Sequence, residues 1–198
     1  MIKYSICVPT VNGREYKFQK LIDNLQDQIE NGKYEKYVEI IICKDNKEIS
    51  IGAKRDKMIM ESSGVFCVMI DDDDNVVGDY IQTLIENYDS KVDTIGYIEE
   101  CRNNGFNPKF SKISTTCNKW REVSVPIGKF SNFRTPYFKN PIKTKIMKRV
   151  GCEDMRWGED HDFSDRILPY LKKEKFIDKV MYLYNYISED HNKKYGII

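Results

Sequence analysis

The chain has 198 residues, enough for one domain with a sizeable core. Charged residues make up 32% of it, yet the formal net charge is +1, which excludes a strongly basic nucleic-acid binder and leaves only local patches such as Lys143, Lys145, Lys148 and Arg149, themselves the pattern of a solvated helix face. The six cysteines, Cys7, Cys43, Cys67, Cys101, Cys117 and Cys152, form no CxxC pair and no zinc-site spacing, so a reduced, disulfide-free intracellular protein is expected.

The first residues lead directly into an apolar run without signal-peptide architecture, and no apolar run approaches a bilayer-spanning length, so no membrane segment is expected. Residues 4–8 predict a short strand ended by Pro9, and 10–14 a polar loop containing Gly13. Phe18, Leu21, Ile22, Leu25 and Ile29 recur at helical spacing, and Asn31-Gly32 is a usual helix close. Residues 38–43 predict a second buried strand, and 51–62 a helix with Met58 and Ile59 inward. Gly64 precedes a third strand, 65–70. Tyr80, Ile81, Leu84, Ile85 and Tyr88 make another amphipathic helix, followed by a strand over 94–98. Strand–helix repeats of this length imply right-handed crossovers and a mostly parallel sheet, with ligands at the carboxyl ends of the strands.

The second half is less regular. Residues 101–135 are polar, with Gly105, Pro108, Pro126 and Gly128 as breakers. Within them, 110–116 and 122–125 are expected to pair as antiparallel strands. Residues 143–150 predict a short helix, 161–171 a helix kinked or shortened by Pro169, and 180–187 a tyrosine-rich strand.

Three segments carry chemistry. The apolar run 65–70 ends abruptly in Asp71, Asp72, Asp73 and Asp74. Four like charges at a strand end repel one another unless something positive sits among them. A hard divalent cation is the usual remedy, because it binds carboxylate and phosphate oxygens together; a solvated acidic turn is the plain alternative. The second segment is Arg156-Trp157-Gly158-Glu159-Asp160-His161. Its carboxylates enter the positive end of a helix beside an indole, so they suit either proton abstraction from a stacked sugar or simple helix capping. The third is Ile51-Gly52-Ala53-Lys54-Arg55-Asp56, a helix start whose N–H groups and cations suit phosphates, or a solvated dibasic turn.

Taken together, the ordered motifs resemble the family 2 glycosyltransferases of the GT-A fold over nearly the whole chain. They are Ser5-Ile6-Cys7-Val8-Pro9-Thr10, Glu39-Ile40-Ile41-Ile42-Cys43-Lys44-Asp45, Gly52-Ala53-Lys54-Arg55-Asp56, Ile70-Asp71-Asp72-Asp73-Asp74 and Gly158-Glu159-Asp160. The Trp-Gly-Glu-Asp stretch is also similar to the acceptor-side motif of galactosyltransferases. The resemblance implies an α/β fold with a mostly parallel, helix-flanked central sheet and a smaller antiparallel acceptor-side portion. It implies one domain, 1–198, with a nucleotide-sugar half, 1–100, and an acceptor half, 101–198. Pro9 and Thr10 would begin the loop around the base and Asp45 would meet the uracil. Gly52, Lys54 and Arg55 would lie near the base and pyrophosphate. Asp71 and Asp73 match the Asp-X-Asp motif, Asp71 and Asp72 toward the donor and Asp73, with Asp71, toward Mn²⁺ or Mg²⁺. His191 is a further candidate for the metal or the pyrophosphate. Asp160, beside Glu159, matches the base.

The implied activity is metal-dependent, inverting transfer from a UDP-sugar to an acceptor hydroxyl, with Trp157, Gly158 and Trp120 on the acceptor side. The acceptor would be a glycan, or a modified nucleic-acid base in a phage or viral setting. The expected compartment is the cytoplasm of a bacterium or of an infected host. Several positions depart from the family pattern: Lys44 stands where a second aspartate is common, and Asp56 replaces an asparagine. The rival readings are a nucleotidyltransferase, for which only Gly13 is available near the first strand, and a non-catalytic binder of nucleotide sugars or glycans.

Overall fold

The computed structural model describes residues 1–186, in which ten strands share one mixed sheet. β1 (Tyr4–Val11) lies between β2 (Val38–Asp45) and β3 (Phe66–Met69), parallel to both. Such a strand is covered on both faces and reads as continuously apolar, and β1 is buried from Tyr4 to Thr10. β1 does not stop at Pro9. Pro9 pairs with Cys43 of β2, whereas the pairing with β3 ends at Cys7 and Met69. Beyond Cys7, β1 has a ladder on one side only, and a residue without an N–H is tolerated there.

α1 (Glu15–Gly32) and α2 (Ile51–Glu61) follow β1 and β2. α1 buries Leu21, Ile22, Leu25 and Ile29 of the predicted stripe and leaves Phe18 half-buried. Its close differs from expectation. Gly32 is the last helical residue, and Lys33 takes the left-handed backbone, φ 54°. A Cβ on Gly32 would stand 2.0 Å from the Tyr34 ring, so a larger residue there would have to displace that ring. α2 is capped by Ser50, whose hydroxyl accepts the Ala53 N–H at 3.0 Å.

After β3 come the short β4 (Asn75–Val76) and α3 (Tyr80–Glu86), then β5 (Thr94–Asn103), β6 (Phe106–Ile113), β7 (Arg121–Ile127) and β8 (Phe130–Arg134). The expected direct pairing of 110–116 with 122–125 does not occur. β7 turns back through Gly128, φ 62°, onto β8, and β8 inserts beside β6, giving the order β5-β6-β8-β7. β8 escapes periodicity because Phe130 and Phe133 are three apart and do not alternate. β9 (Ile142–Lys143) links β3 to β5 antiparallel and runs into α4 (Thr144–Val150). α5 (Glu159–Ile167) stops two residues before Pro169, which initiates a 3₁₀ turn over Leu168–Tyr170. β10 (Glu174–Tyr186) then lies parallel to β5 and antiparallel to β4. His191 and the end of the predicted 180–187 strand lie outside the described residues. Among the described residues, no helix is long and apolar enough to cross a membrane.

The approach of β1 to the chain entering β3 is a sharp test of this packing. Gly64 donates its N–H to Ser5 Oγ at 2.8 Å and accepts Thr144 Oγ1 at 2.6 Å. A Cβ there would stand 2.7 Å from Ser5 N and 2.8 Å from Tyr4 C, both backbone atoms. Gly64→Ala is expected to cost about 1–3 kcal/mol, the usual range for overpacking. Urea unfolding checks this: the midpoint falls while the slope is unchanged.

Candidate active site

The carboxyl ends of β1 and β3 open into a cleft of about 450 Å³. Pro9, Thr10 and Val11 form one wall, and Lys47, Ile49 and Ile51 another. Lys54 and Arg55 of α2 reach it from below, Asp71, Asp72 and Asp73 from the β3 end, and Arg156 and Trp157 from the segment before α5.

The four aspartates split into two kinds. Asp72 and Asp74 are buried, at 2% and 7% exposure, whereas Asp71 is half-buried and Asp73 exposed. Asp72 is held at both oxygens, by Thr10 Oγ1 at 2.6 Å and Arg14 Nη1 at 2.7 Å. Asp74 accepts Lys139 Nζ at 2.9 Å and the Tyr182 hydroxyl at 2.7 Å. Asp71 pairs with Arg55 at 3.1 Å and with Lys139 at 3.7 Å. Among the described residues, Asp73 pairs only with Arg14, at 3.4 Å. The positive charge that four carboxylates demand therefore comes first from the chain itself, through Arg14, Arg55 and Lys139. Burial pushes the Asp71 carboxyl upward, but Arg55, Lys139 and Arg14 outweigh it and hold it below its ordinary value. Asp74 goes the other way: burial, with Asp71 close by, lifts it to about 6 against the pull of Lys139.

Lys139 is absent from the sequence reading, yet it is buried in the middle of this cluster. Glu99 lies 3.8 Å from its Nζ, and the Tyr182 and Tyr184 rings stand 4.4 Å away. Burial alone would lower its pKa, but Tyr137 and the carboxylates of Asp74, Glu99 and Asp71 raise it well above the lysine norm. The signal in the sequence was a lone lysine inside Thr135-Pro136-Tyr137-Phe138-Lys139-Asn140-Pro141-Ile142, a stretch otherwise suited to burial.

Lys54 and Arg55 are buried rather than solvated. Lys54 Nζ donates to the Thr10 carbonyl at 2.8 Å and to Asp45 Oδ1. Asp45 also accepts the Ile49 N–H at 3.2 Å, so it ties down the loop that brings Lys47 and Ile49 to the cleft, and its own carboxyl is held below the usual range, burial being outweighed by Lys54. Arg55 stacks over Phe138 at 4.7 Å and pairs with Glu159 at 3.3 Å as well as Asp71. The acid cluster and the start of α5 are thus one electrostatic unit.

The start of α2 is occupied by the chain. The Gly52 N–H donates to the Met155 carbonyl at 3.0 Å, and a Cβ there would stand 1.9 Å from the Glu153 carbonyl oxygen. Asp56 Oδ1 accepts the Cys152 N–H at 2.9 Å. Gly52 and Asp56 therefore dock the 152–155 segment that leads to Trp157, whose ring is 87% exposed.

Gly158, φ 78°, takes the left-handed backbone that opens α5. Glu159 is buried, and burial raises its carboxyl against the pull of Arg55. Asp160 is half-buried and accepts the His161 N–H at 2.8 Å; it is not among the residues that line the cleft. Trp120 is packed in: its Nε1 donates to Thr135 Oγ1 at 2.9 Å and Ser164 Oγ at 3.2 Å, and its ring meets Tyr137 and His161. It braces α5 rather than facing the cleft. Among the described residues, no group of three or more His, Cys, Asp or Glu side chains converges to hold an ion unaided.

No family model and no curated protein matches this chain. Solved structures do. S. aureus TarS 1–349 superposes with a TM-score of 0.63 at 16% identity, covering 93% of this chain and 60% of that one. The same protein in complex with UDP-GlcNAc gives 0.64 at 16% identity, covering 97% and 61%. The catalytic domain of Drosophila beta1,4galactosyltransferase 7 in complex with xylobiose gives 0.56 at 12%, covering 91% and 68%. The fold is GT-A. The chain spans about 60% of the length of the TarS 1–349 chains it matches.

In this GT-A frame Lys139 is the keystone cation. Lys139→Met leaves Asp74 and Glu99 buried without it, and breaking a buried pair costs about 3–5 kcal/mol. The expected thermal midpoint is lowered, and adding Asp74→Asn recovers part of the loss; calorimetry of the single and double variants checks both.

Proposed function

We propose that the protein is a glycosyltransferase that moves a sugar from a UDP-sugar to an acceptor hydroxyl with inversion at the anomeric carbon. The observation that carries this reading is the single cleft in which Thr10, Lys54, Asp71, Asp73 and Trp157 meet at the strand ends, with Asp45 behind Lys54. The UDP-GlcNAc complex of the similarly folded TarS supports a nucleotide-sugar donor.

In this reading Val11, Ile49 and Ile51 give the nucleotide apolar walls, and Pro9 and Thr10 at the end of β1 continue the same wall. Asp45 acts by fixing Lys54 and the 46–49 loop. Asp71, held by Arg55, faces the donor, while Asp72 is the strut that keeps Arg14 and Thr10 in place. The donor set suits a hard cation. Mg²⁺ and Mn²⁺ sites on phosphate ligands use one or two carboxylates, with phosphate oxygens and water completing the shell. Asp73, 40% exposed at its side chain and with one long contact to Arg14, is the carboxylate free for that role. A cation there supplies Lewis-acid charge to the diphosphate.

The acceptor oxygen attacks the anomeric carbon as the bond from that carbon to the diphosphate oxygen breaks. The proton of the acceptor hydroxyl passes to Asp160, and the diphosphate leaves with the bonding pair. Glu159 is turned inward to Arg55 and positions Asp160 by anchoring the first turn of α5. Trp157 and Gly158 form the exposed edge on which an acceptor sugar stacks.

Asp160→Asn is expected to keep UDP binding and to lose about 10²–10⁴ in transfer, the usual size of general-base help. UDP release from a panel of UDP-sugars, beside a UDP thermal-shift titration, measures both. Parent-rate release by the variant removes Asp160 from the base role. For the cation, Asp73→Asn is expected to abolish the part of the UDP-induced midpoint rise that depends on Mn²⁺, through the mass-action link between binding and stability. An Mn²⁺ response equal to the parent's rejects Asp73 as its ligand.

A further inference from the structure

A second concavity lies on the other side of Lys139. It has a volume of about 640 Å³, larger than the donor cleft, and it is formed on the sheet by β5, β6, β7, β8 and β10. Its polar lining mixes neutral donors and acceptors, Asn103, Asn107, Asn132 and Ser111, with charged side chains; Asn132 donates to Ser111 Oγ at 3.2 Å, and the rings of Tyr184 and Tyr186 stand beside them. Among the described residues the charges balance, Glu99 and Glu122 against Lys109 and Arg134, and Arg134 pairs with Glu122 at 3.2 Å.

This chemistry selects its ligand. A phosphate backbone needs a cationic groove, and this one is neutral. An apolar peptide needs a continuously apolar groove, and here amides, hydroxyls and charged side chains interrupt the tyrosine rings. Hydroxyl-rich neutral molecules fit, because amide and hydroxyl side chains both give and take hydrogen bonds, while tyrosine presents an apolar ring face with a polar tip. Glu99 is 5% exposed; its Oε2 faces Tyr137 and Lys139. A buried carboxylate that also lines a cavity is a strong acceptor for sugar hydroxyls.

The concavity is wired to the donor cleft. Glu99 and Tyr184 touch Lys139, which touches Asp71 and Asp74. Arg134 stacks on Trp120 at 4.8 Å, and Trp120 meets His161, next to Asp160. We propose that this groove is a saccharide site that holds the body of a neutral oligosaccharide acceptor while its reacting end lies at Asp160. The assignment of the oligosaccharide as acceptor rests on the transferase reading; the groove's preference for neutral sugar rests on its own lining.

The test uses the full chain with two variants at exposed positions away from the donor cleft, Tyr186→Ala and Asn103→Trp, the second to plug the groove. Circular dichroism and thermal midpoints establish that both fold. Binding of neutral malto-, cello-, chito-, xylo- and galacto-oligosaccharides is measured by calorimetry and saturation-transfer NMR, with a heparin fragment as the polyanionic comparison and UDP with Mn²⁺ as the donor comparison. The expected result is binding of at least one neutral series, weakened tenfold or more in both variants, with the UDP response unchanged. No neutral series binding, binding unaffected by both variants, or heparin binding in preference overturns the groove assignment. Sugar binding without any UDP response leaves the groove standing and rejects the transferase reading; a UDP response without sugar binding does the reverse.

Discussion

One buried ammonium holds this molecule's chemistry together. Four successive aspartates at a strand end would drive the loop apart: two unit charges 4 Å apart at an effective dielectric near 20 repel by about 4 kcal/mol. Lys139 answers that from inside, with Asp74 at 2.9 Å, Asp71 at 3.7 Å and Glu99 at 3.8 Å. It is steadied by two tyrosine faces, and one of them, Tyr182, also donates to Asp74 and accepts the Asp71 N–H at 3.2 Å. Residues from the β3 end, the 137–140 segment and β10 must all be in place before the acid loop has a fixed shape. The second half of the chain thereby completes the first half's active edge.

That dependence explains what the sequence disclosed and what it hid. The parallel core was legible because β1, β2, β3 and α1 obey short-range rules: apolar runs for strands buried on both faces, a 3.6-residue stripe for α1. The acid cluster and the Trp-Gly-Glu-Asp segment stood out as candidates because unusual charge next to apolar sequence is visible without coordinates. Lys139 did not, since nothing local distinguishes a lysine that ends in solvent from one that ends among carboxylates 65 residues away. The β7–β8 hairpin failed for a related reason. Its strands pair by inserting β8 beside β6, and insertion order is a long-range fact. Lys54 and Arg55 illustrate the same limit in reverse: a dibasic helix turn that suggests solvated surface is buried because Asp45, Asp71 and Glu159 meet it.

Arg55 extends the argument to the other side of the cleft. It touches Asp71 and Glu159 at once, lies flat on Phe138, and sits on the helix whose Gly52 and Asp56 dock the 152–155 segment. A shift of the acid loop is therefore felt at the first turn of α5 through one planar guanidinium. A planar fork with several donors can serve two carboxylates in fixed directions, which a lysine ammonium cannot. The geometry of a proposed base at Asp160 is in this way tied to the donor side by charge and not only by backbone.

The same bookkeeping of charge gives the proposed cation its reason. Among the described residues, six carboxylates stand around the loop, Asp71, Asp72, Asp73, Asp74, Glu99 and Glu159, against three cations, Arg14, Arg55 and Lys139. Lys54 adds nothing outward, because Asp45 balances it. The three cations suffice to fix the loop, since each reaches two or more carboxylates, but they leave it negative, and the excess points into the cleft at Asp73. A nucleoside diphosphate approaching that edge brings further negative charge. Lys47 and Arg156 stand on the cleft wall to meet part of it, and a divalent cation on Asp73 would meet the rest at the point where diphosphate and carboxylate would otherwise repel. In this scheme the proposed metal would arrive with the nucleotide, because the three internal cations already fix the loop.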